Sequence, residues 1–186
     1  MKKVILFALF AMLLFGGIQA YAKPAKAKKI LVVYYSWSGN TRTMANQIHA
    51  VVGGDIAQII PAKAYSNDYN TVVAQAKKEI KSNVHPAIKP MSVNPQDYDV
   101  IFVGTPNWWG TMAPPVATFL ATHNLAGKVV IPFATNGGGG MQNCTTDIKK
   151  MCPHSTVLSG KSIYGRDVST SASAVRSWLK GIAQLK

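Results

Sequence analysis

Acidic residues are scarce in this chain: 7 Asp plus Glu stand against 20 Lys plus Arg among 186 residues. Glu79 is the lone glutamate, and Asp55, Asp68, Asp97, Asp99, Asp147 and Asp167 are scattered along the sequence. No carboxylate pair or nucleophile triad can be drawn from them, which removes the glycosidase-type and triad-type hydrolases. His49, His85, His123 and His154 show no metal-ligand spacing. The chain also lacks the Gly-Lys-Ser/Thr ending of a triphosphate loop, a Gly-x-Gly-x-x-Gly dinucleotide fingerprint, an internal repeat and a long low-complexity tract. With so little reactive side-chain chemistry, any reaction must draw on a bound cofactor.

The long apolar run is confined to the start. Lys2 and Lys3 precede the apolar stretch Val4 to Ile18, and Ala20-Tyr21-Ala22 is a small-x-small site. This pattern leads us to expect a secretory signal peptide over residues 1–22, cut after Ala22. An uncleaved anchor competes, since a spanning helix needs about 20 residues, but Gly16-Gly17 and Gln19 interrupt the run. The expected product is exported, periplasmic or otherwise extracytoplasmic, and not an integral membrane protein after cleavage. There is no twin-arginine signature, so any cofactor would be acquired outside. Residues 23–28 read as a flexible basic lead-in, and residues 29–186 as one domain. Taking Lys2 and Lys3 away leaves 18 Lys plus Arg against 7 acidic residues, a change from +13 to +11.

Only two cysteines are present, Cys144 and Cys152. A helix over 143–151 would hold their Cα atoms about 12 Å apart, beyond the ~7 Å limit for a bridge. Two free thiols are expected, a disulfide requiring that the helix unwind.

What the chain does contain is alternation. Ile30 to Tyr34, Asp55 to Ile60, Tyr98 to Gly104, Lys128 to Ala134 and Thr156 to Tyr164 are short apolar, β-branched runs that read as strands. Pro132 removes one ladder donor from the fourth. Between and after them lie helical stripes: Met44, Ala45 and Ile48; Val72, Val73, Ala76 and Ile80; a helix opened by Pro114-Pro115; a short one over 143–151; and Val175, Trp178, Leu179 and Ile182 over 172–185. Five strands alternating with five helices predict an α/β doubly wound parallel sheet of order 2-1-3-4-5 with helices on both faces.

Ligands bind such sheets at the carboxyl ends of the strands, where the winding reverses. Three loops meet there. After the first strand, Ser36-Trp37-Ser38-Gly39-Asn40-Thr41 leads into a helix start, where free N–H groups and hydroxyls suit a phosphate. The same residues also suit an ordinary N-cap. Arg42 either faces the phosphate or points into water, the second being the better match to the helix dipole. After the third strand comes Pro106-Asn107-Trp108-Trp109-Gly110, with two indoles for stacking and an amide for a polar ring edge. After the fourth comes Thr135-Asn136-Gly137-Gly138-Gly139-Gly140, whose backbone can approach a flat ligand closely. Placing both indoles in one loop beside Pro106 and Gly110 argues for ligand contact over core packing.

Over about residues 29 to 184 the chain resembles the flavodoxin-like family, specifically the exported bacterial group with a Trp-Trp loop. The match is carried by Ser36-x-Ser38-Gly39-Asn40-Thr41 between a strand and a helix. The resemblance implies the flavodoxin-like fold and FMN as cofactor. It assigns the phosphate to Ser36, Trp37, Ser38, Gly39, Asn40 and Thr41. It assigns the isoalloxazine ring to Pro106, Asn107, Trp108, Trp109 and Gly110, together with Thr135, Asn136, Gly137, Gly138 and Gly139. Tyr65, Tyr69, Glu79 and Pro86 match a stretch common in the group and receive only structural roles.

An electron carrier between redox partners is the function this implies. An FMN-dependent NAD(P)H:quinone oxidoreductase and a non-redox flavin-binding module are the alternatives, separated by how exposed the ring is. Flavodoxins are typically acidic, and this chain departs from that pattern. Its basic charge predicts an acidic redox partner, a small-molecule acceptor or an anionic membrane face, and no specific nucleic acid.

Overall fold

The computed structural model describes residues 27–183. The expected signal peptide and most of the lead-in therefore lie outside the described residues, as do 184–186. Among the described residues no helix is long and apolar enough to cross a membrane.

Strand β1 (Ile30–Tyr34) is followed by α1 (Asn40–Val52), β2 (Asp55–Gln58), α2 (Tyr69–Lys81), β3 (Val100–Trp108), β4 (Thr111–Met112) and α3 (Pro114–Thr122). Then come β5 (Val129–Asn136), α4 (Cys144–Met151), β6 (Thr156–Val157), β7 (Lys161–Tyr164) and α5 (Ala172–Ala183). The sheet has seven strands rather than five, in the order β2-β1-β3-β5-β6, with β4 on β3 and β7 on β5. All pairs are parallel except β3 with β4. The winding order expected from the alternation is the one observed; the count differs for two local reasons.

The first is the edge. The expected fifth strand is split into β6 and β7, both paired to β5. Leu158 donates its N–H to the Val130 carbonyl at 2.9 Å, so residues of β5 two apart from Val130 face this edge. Pro132 is one of them, and it has no N–H to offer. Pairing lapses there and resumes at Phe133 with Lys161, one residue out of step: Val130 to Phe133 spans three residues, Val157 to Lys161 four.

The second is the Trp-Trp segment, expected as a loop. Strand β3 runs on through Thr105 to Trp108 and returns as β4, with Trp108 opposite Thr111. Trp109 (φ 53°) and Gly110 (φ 88°) are the two turn residues, both left-handed, as a type I′ hairpin turn requires.

Alternation along the central strands feeds two cores. Leu31, Val33, Ile101 and Val103 pack with Val72, Val116, Phe119 and Ile148 on the α2, α3 and α4 side. Val32, Phe102, Ile131 and Phe133 pack with Met44, Ile48, Val175 and Leu179 on the α1 and α5 side. With both faces covered, the strands must be apolar throughout, and only their carboxyl-end loops are free to carry polar chemistry. Cys144 and Cys152 are unpaired and buried at the two ends of α4, and burial pushes their thiols up to about 12 and about 11.

Candidate functional site

The loop after β1 is closed on itself by Gly39, which donates its N–H to Ser36 Oγ at 3.2 Å. Gly39 then serves as the N-cap of α1 in a left-handed conformation (φ 93°), and no side chain caps the helix. The first backbone bond out of α1 is Thr43 N–H to the Gly39 carbonyl at 3.0 Å. The N–H groups of Asn40, Thr41 and Arg42 are left pointing out of the helix end. No acidic residue stands in the first turn, and nothing lies within 4 Å of where a Gly39 side chain would begin. An uncapped helix N-terminus with open space in front of it is a fit for an anion. The alternative of an ordinary side-chain N-cap is not what the geometry shows.

Not every expected hydroxyl is free. Thr41 is buried and its Oγ1 lies 2.8 Å from Thr135 Oγ1, tying the start of α1 to the end of β5. Ser36 is spent on Gly39, so Ser38, which is exposed, is the unconstrained hydroxyl of the loop. Arg42 reaches away to Gln58 Oε1 at 3.2 Å.

Both amides expected to meet a ligand are occupied within the protein. Asn107 Nδ2 donates to the Gly140 carbonyl at 2.8 Å and to Gln142 Oε1 at 2.9 Å, while its Oδ1 accepts from Gly110 N–H at 3.0 Å. Asn136 Nδ2 donates to the Ile163 carbonyl at 3.1 Å and Oδ1 accepts from Gly138 N–H at 2.8 Å. Asn107 thus locks the hairpin to the glycine loop, and Asn136 locks that loop to β7. The backbone of the loop remains: Gly137 and Gly139 N–H groups find no acceptor among the described residues.

The two indoles part company. Trp108 is half-buried with its ring edge-on to Tyr35 (5.6 Å, 86°) and Tyr65 (5.3 Å, 76°). Tyr65 in turn donates its hydroxyl to Glu79 at 2.5 Å, with Gln75 Nε2 on the other carboxylate oxygen at 2.8 Å. Burial, then the Glu79 bond and charge, holds the Tyr65 phenol far above its ordinary range; burial, then the Glu79 charge, does the same for Tyr35. Trp109 is 52 % exposed. It donates its ring N–H to the Val73 carbonyl at 3.1 Å and carries Lys77 Nζ 4.6 Å from its ring centroid. Trp108, expected to serve a ligand, is a packing residue of this aromatic cluster. Trp108→Ala is accordingly expected to cost about 2–3 kcal/mol of stability, Trp109→Ala less than about 1 kcal/mol. Urea denaturation of both variants, with equal midpoints as the contrary result, checks this.

Between the first two loops lies a cleft of about 290 Å³, lined by Trp37, Tyr69, Val72, Val73, Ala76 and the 107–109 turn. Trp37 is fixed at its edge by a bond from its ring N–H to the Ser66 carbonyl at 2.9 Å. The glycine loop does not line this cleft. A fourth segment, missed in the sequence, closes the other side. Gly165 lies so near Asn40 that an added Cβ would come within 2.6 Å of Asn40 Nδ2, and Tyr164 borders Gly138. Arg166 stacks on the Tyr164 ring at 4.4 Å. No local signal marks these residues, because they reach the site only through the pairing of β7 with β5.

A doubly wound parallel sheet with an uncapped helix end at its switch point, flanked by an aromatic hairpin and a glycine loop, is the architecture of mononucleotide-binding α/β proteins. The sequence pattern of the flavodoxin family matches residues 29–182, and the chain belongs to that family. Its fold is similar to that of a candidate flavoprotein from Bacteroides eggerthii, at 37 % identity over 84 % of this chain and 99 % of the other, with a TM-score of 0.74. A candidate flavoprotein from Bacteroides uniformis is 30 % identical over 83 % of this chain and 99 % of the other, also with a TM-score of 0.74. A Lactobacillus acidophilus flavoprotein, solved in complex with FMN, is 25 % identical over 77 % and 98 % of the two chains, with a TM-score of 0.62.

Proposed function

We propose that the protein is an exported FMN-binding electron carrier. The observation that carries the cofactor is the uncapped N-terminus of α1, open at Gly39 and free of acidic residues, at the switch point of the sheet. The FMN-bound Lactobacillus relative supports the same choice. The backbone N–H groups of residues 40–42 and the Ser38 hydroxyl would hold the phosphate. The turn at Trp108 to Gly110 and the free N–H groups of the glycine loop would hold and polarise the ring. When bound, FMN supplies one- and two-electron transfer; the chain's own part is to bind, orient and partly cover it.

Export rests on the amino-terminal pattern of Lys2, Lys3 and the apolar run ending at Ala22. The excess of basic charge supports an acidic protein partner or an anionic membrane face as the place where electrons leave. In a stopped-flow experiment, reduced flavoprotein is expected to transfer electrons faster to anionic than to cationic acceptors, with the difference shrinking as salt shortens the Debye length below about 8–10 Å. A rate indifferent to salt and to acceptor charge would remove the electrostatic part of the reading.

A further inference from the structure

The cleft between Trp37 and Trp109 differs in chemistry from the anion-accepting helix end beside it. Its walls are aromatic and aliphatic, supplied by Trp37, Tyr69, Val72, Val73 and Trp109. Almost every polar group that could face it is already used. The Trp37 ring N–H is bound to Ser66, the Trp109 ring N–H to Val73, and both the Nδ2 and the Oδ1 of Asn107 are engaged within the protein. No Lys, Arg, Asp, Glu or His lines it. Lys77 covers one face of Trp109 but is not part of the lining. A charged group or a sugar would lose its hydration here and find only the Tyr69 hydroxyl among the side chains lining the cleft in return, whereas a flat apolar ring loses little and gains two indoles.

Size narrows the occupant further. At about 290 Å³ the cleft sits at the lower end of small-molecule sites, enough for one or two fused rings. Its walls are also held in place: Trp109 sits in a left-handed turn position and is pinned to α2 by its ring N–H, although leaving it half out of the protein exposes a large apolar surface. An exposed, fixed indole beside an open apolar cleft has a reason if something flat lies against it.

We propose that this cleft is a second binding site, for a flat, uncharged aromatic molecule of quinone size, adjoining the FMN site and separate from it. Its use in electron transfer rests on the FMN reading above; its binding chemistry does not. A ring seated there shares the 107–109 turn with the flavin site, so a small acceptor could be brought beside the cofactor without a protein partner.

The test is equilibrium dialysis of the purified protein against 2-methyl-1,4-naphthoquinone, with and without saturating FMN. One equivalent is expected to bind saturably in both cases. Val73→Lys, which places an ammonium in the cleft, and Val73→Trp, which fills it without charge, are each expected to weaken that binding about tenfold or more. Both are expected to leave FMN affinity and the circular dichroism spectrum unchanged. Loss of naphthoquinone binding when FMN is added would overturn the proposal, because the cleft would then be the flavin ring's own seat. Absence of saturable binding, or binding indifferent to both variants, would overturn it equally. Failure of FMN itself to bind would sink the FMN reading, while the titration of the FMN-free protein would still decide the cleft.

Discussion

FMN is expected to bind one per chain and at least about a hundredfold more tightly than riboflavin. The difference is the phosphate, which would meet the N–H groups of residues 40–42 at an uncapped helix end. Hydrogen bonds to a charged group contribute about 1.5–3 kcal/mol each, so two of them give about 3–6 kcal/mol, or two to four powers of ten. A helix N-terminus adds a smaller favourable term for negative charge. Gly39→Val is expected to erase most of this preference. Its φ of 93° is one that a β-branched residue adopts only under strain, and the side chain would grow into the open space in front of the helix. Riboflavin affinity should change far less, since the ring is held elsewhere. Fluorescence titration with both ligands checks the prediction; equal affinities in the unaltered protein would sink the phosphate assignment.

Gly104→Ala is expected to be among the most damaging single-methyl changes in the fold, costing about 3 kcal/mol or more. Gly104 lies in the middle of β3, and a Cβ there would come within 2.2 Å of Phe133 Cζ, 2.5 Å of Cε2 and 2.8 Å of Cε1. Phe133 is fully buried against the α1 and α5 layer and cannot swing into solvent. Added volume in a packed core typically costs about 1–3 kcal/mol, and a clash with a ring on the neighbouring strand belongs at the top of that range. That is a large share of a domain stability of about 5–15 kcal/mol. Combining the change with Phe133→Leu should recover part of the loss, giving a coupling of about 1 kcal/mol or more in a double-mutant cycle by urea denaturation. Additive losses would mean that the two residues do not meet.

The sequence by itself determined the class of this fold and the winding order of its sheet. Short continuous apolar runs and period-3.6 apolar stripes are local patterns, and here they agree with one another from Ile30 to Ile182, so five helices and a parallel sheet of known winding could be read directly. Strand β1 has the bounds its apolar run suggests, and α1 starts at Asn40, one residue from the expected helix start at Thr41. The use of each side chain at the site was not legible. Asn107 and Asn136 carry amides that could serve a ligand or the protein. Only the approach of Gly140, Gln142 and Ile163, between 27 and 35 residues away, consumes them. Neighbouring Trp108 and Trp109 look equivalent as residues, yet the hairpin turn sends one into the Tyr35 and Tyr65 cluster and leaves the other over α2. The break in the edge strand needed both the proline and the knowledge of which side of β5 its missing N–H faces. The apolar cleft exists because α2, read as a core helix, also turns Tyr69 and Val73 toward the loop after β1. Local pattern fixes which elements form; register and hydrogen-bond saturation, which are properties of residues far apart in the chain, decide which groups are left over for a ligand.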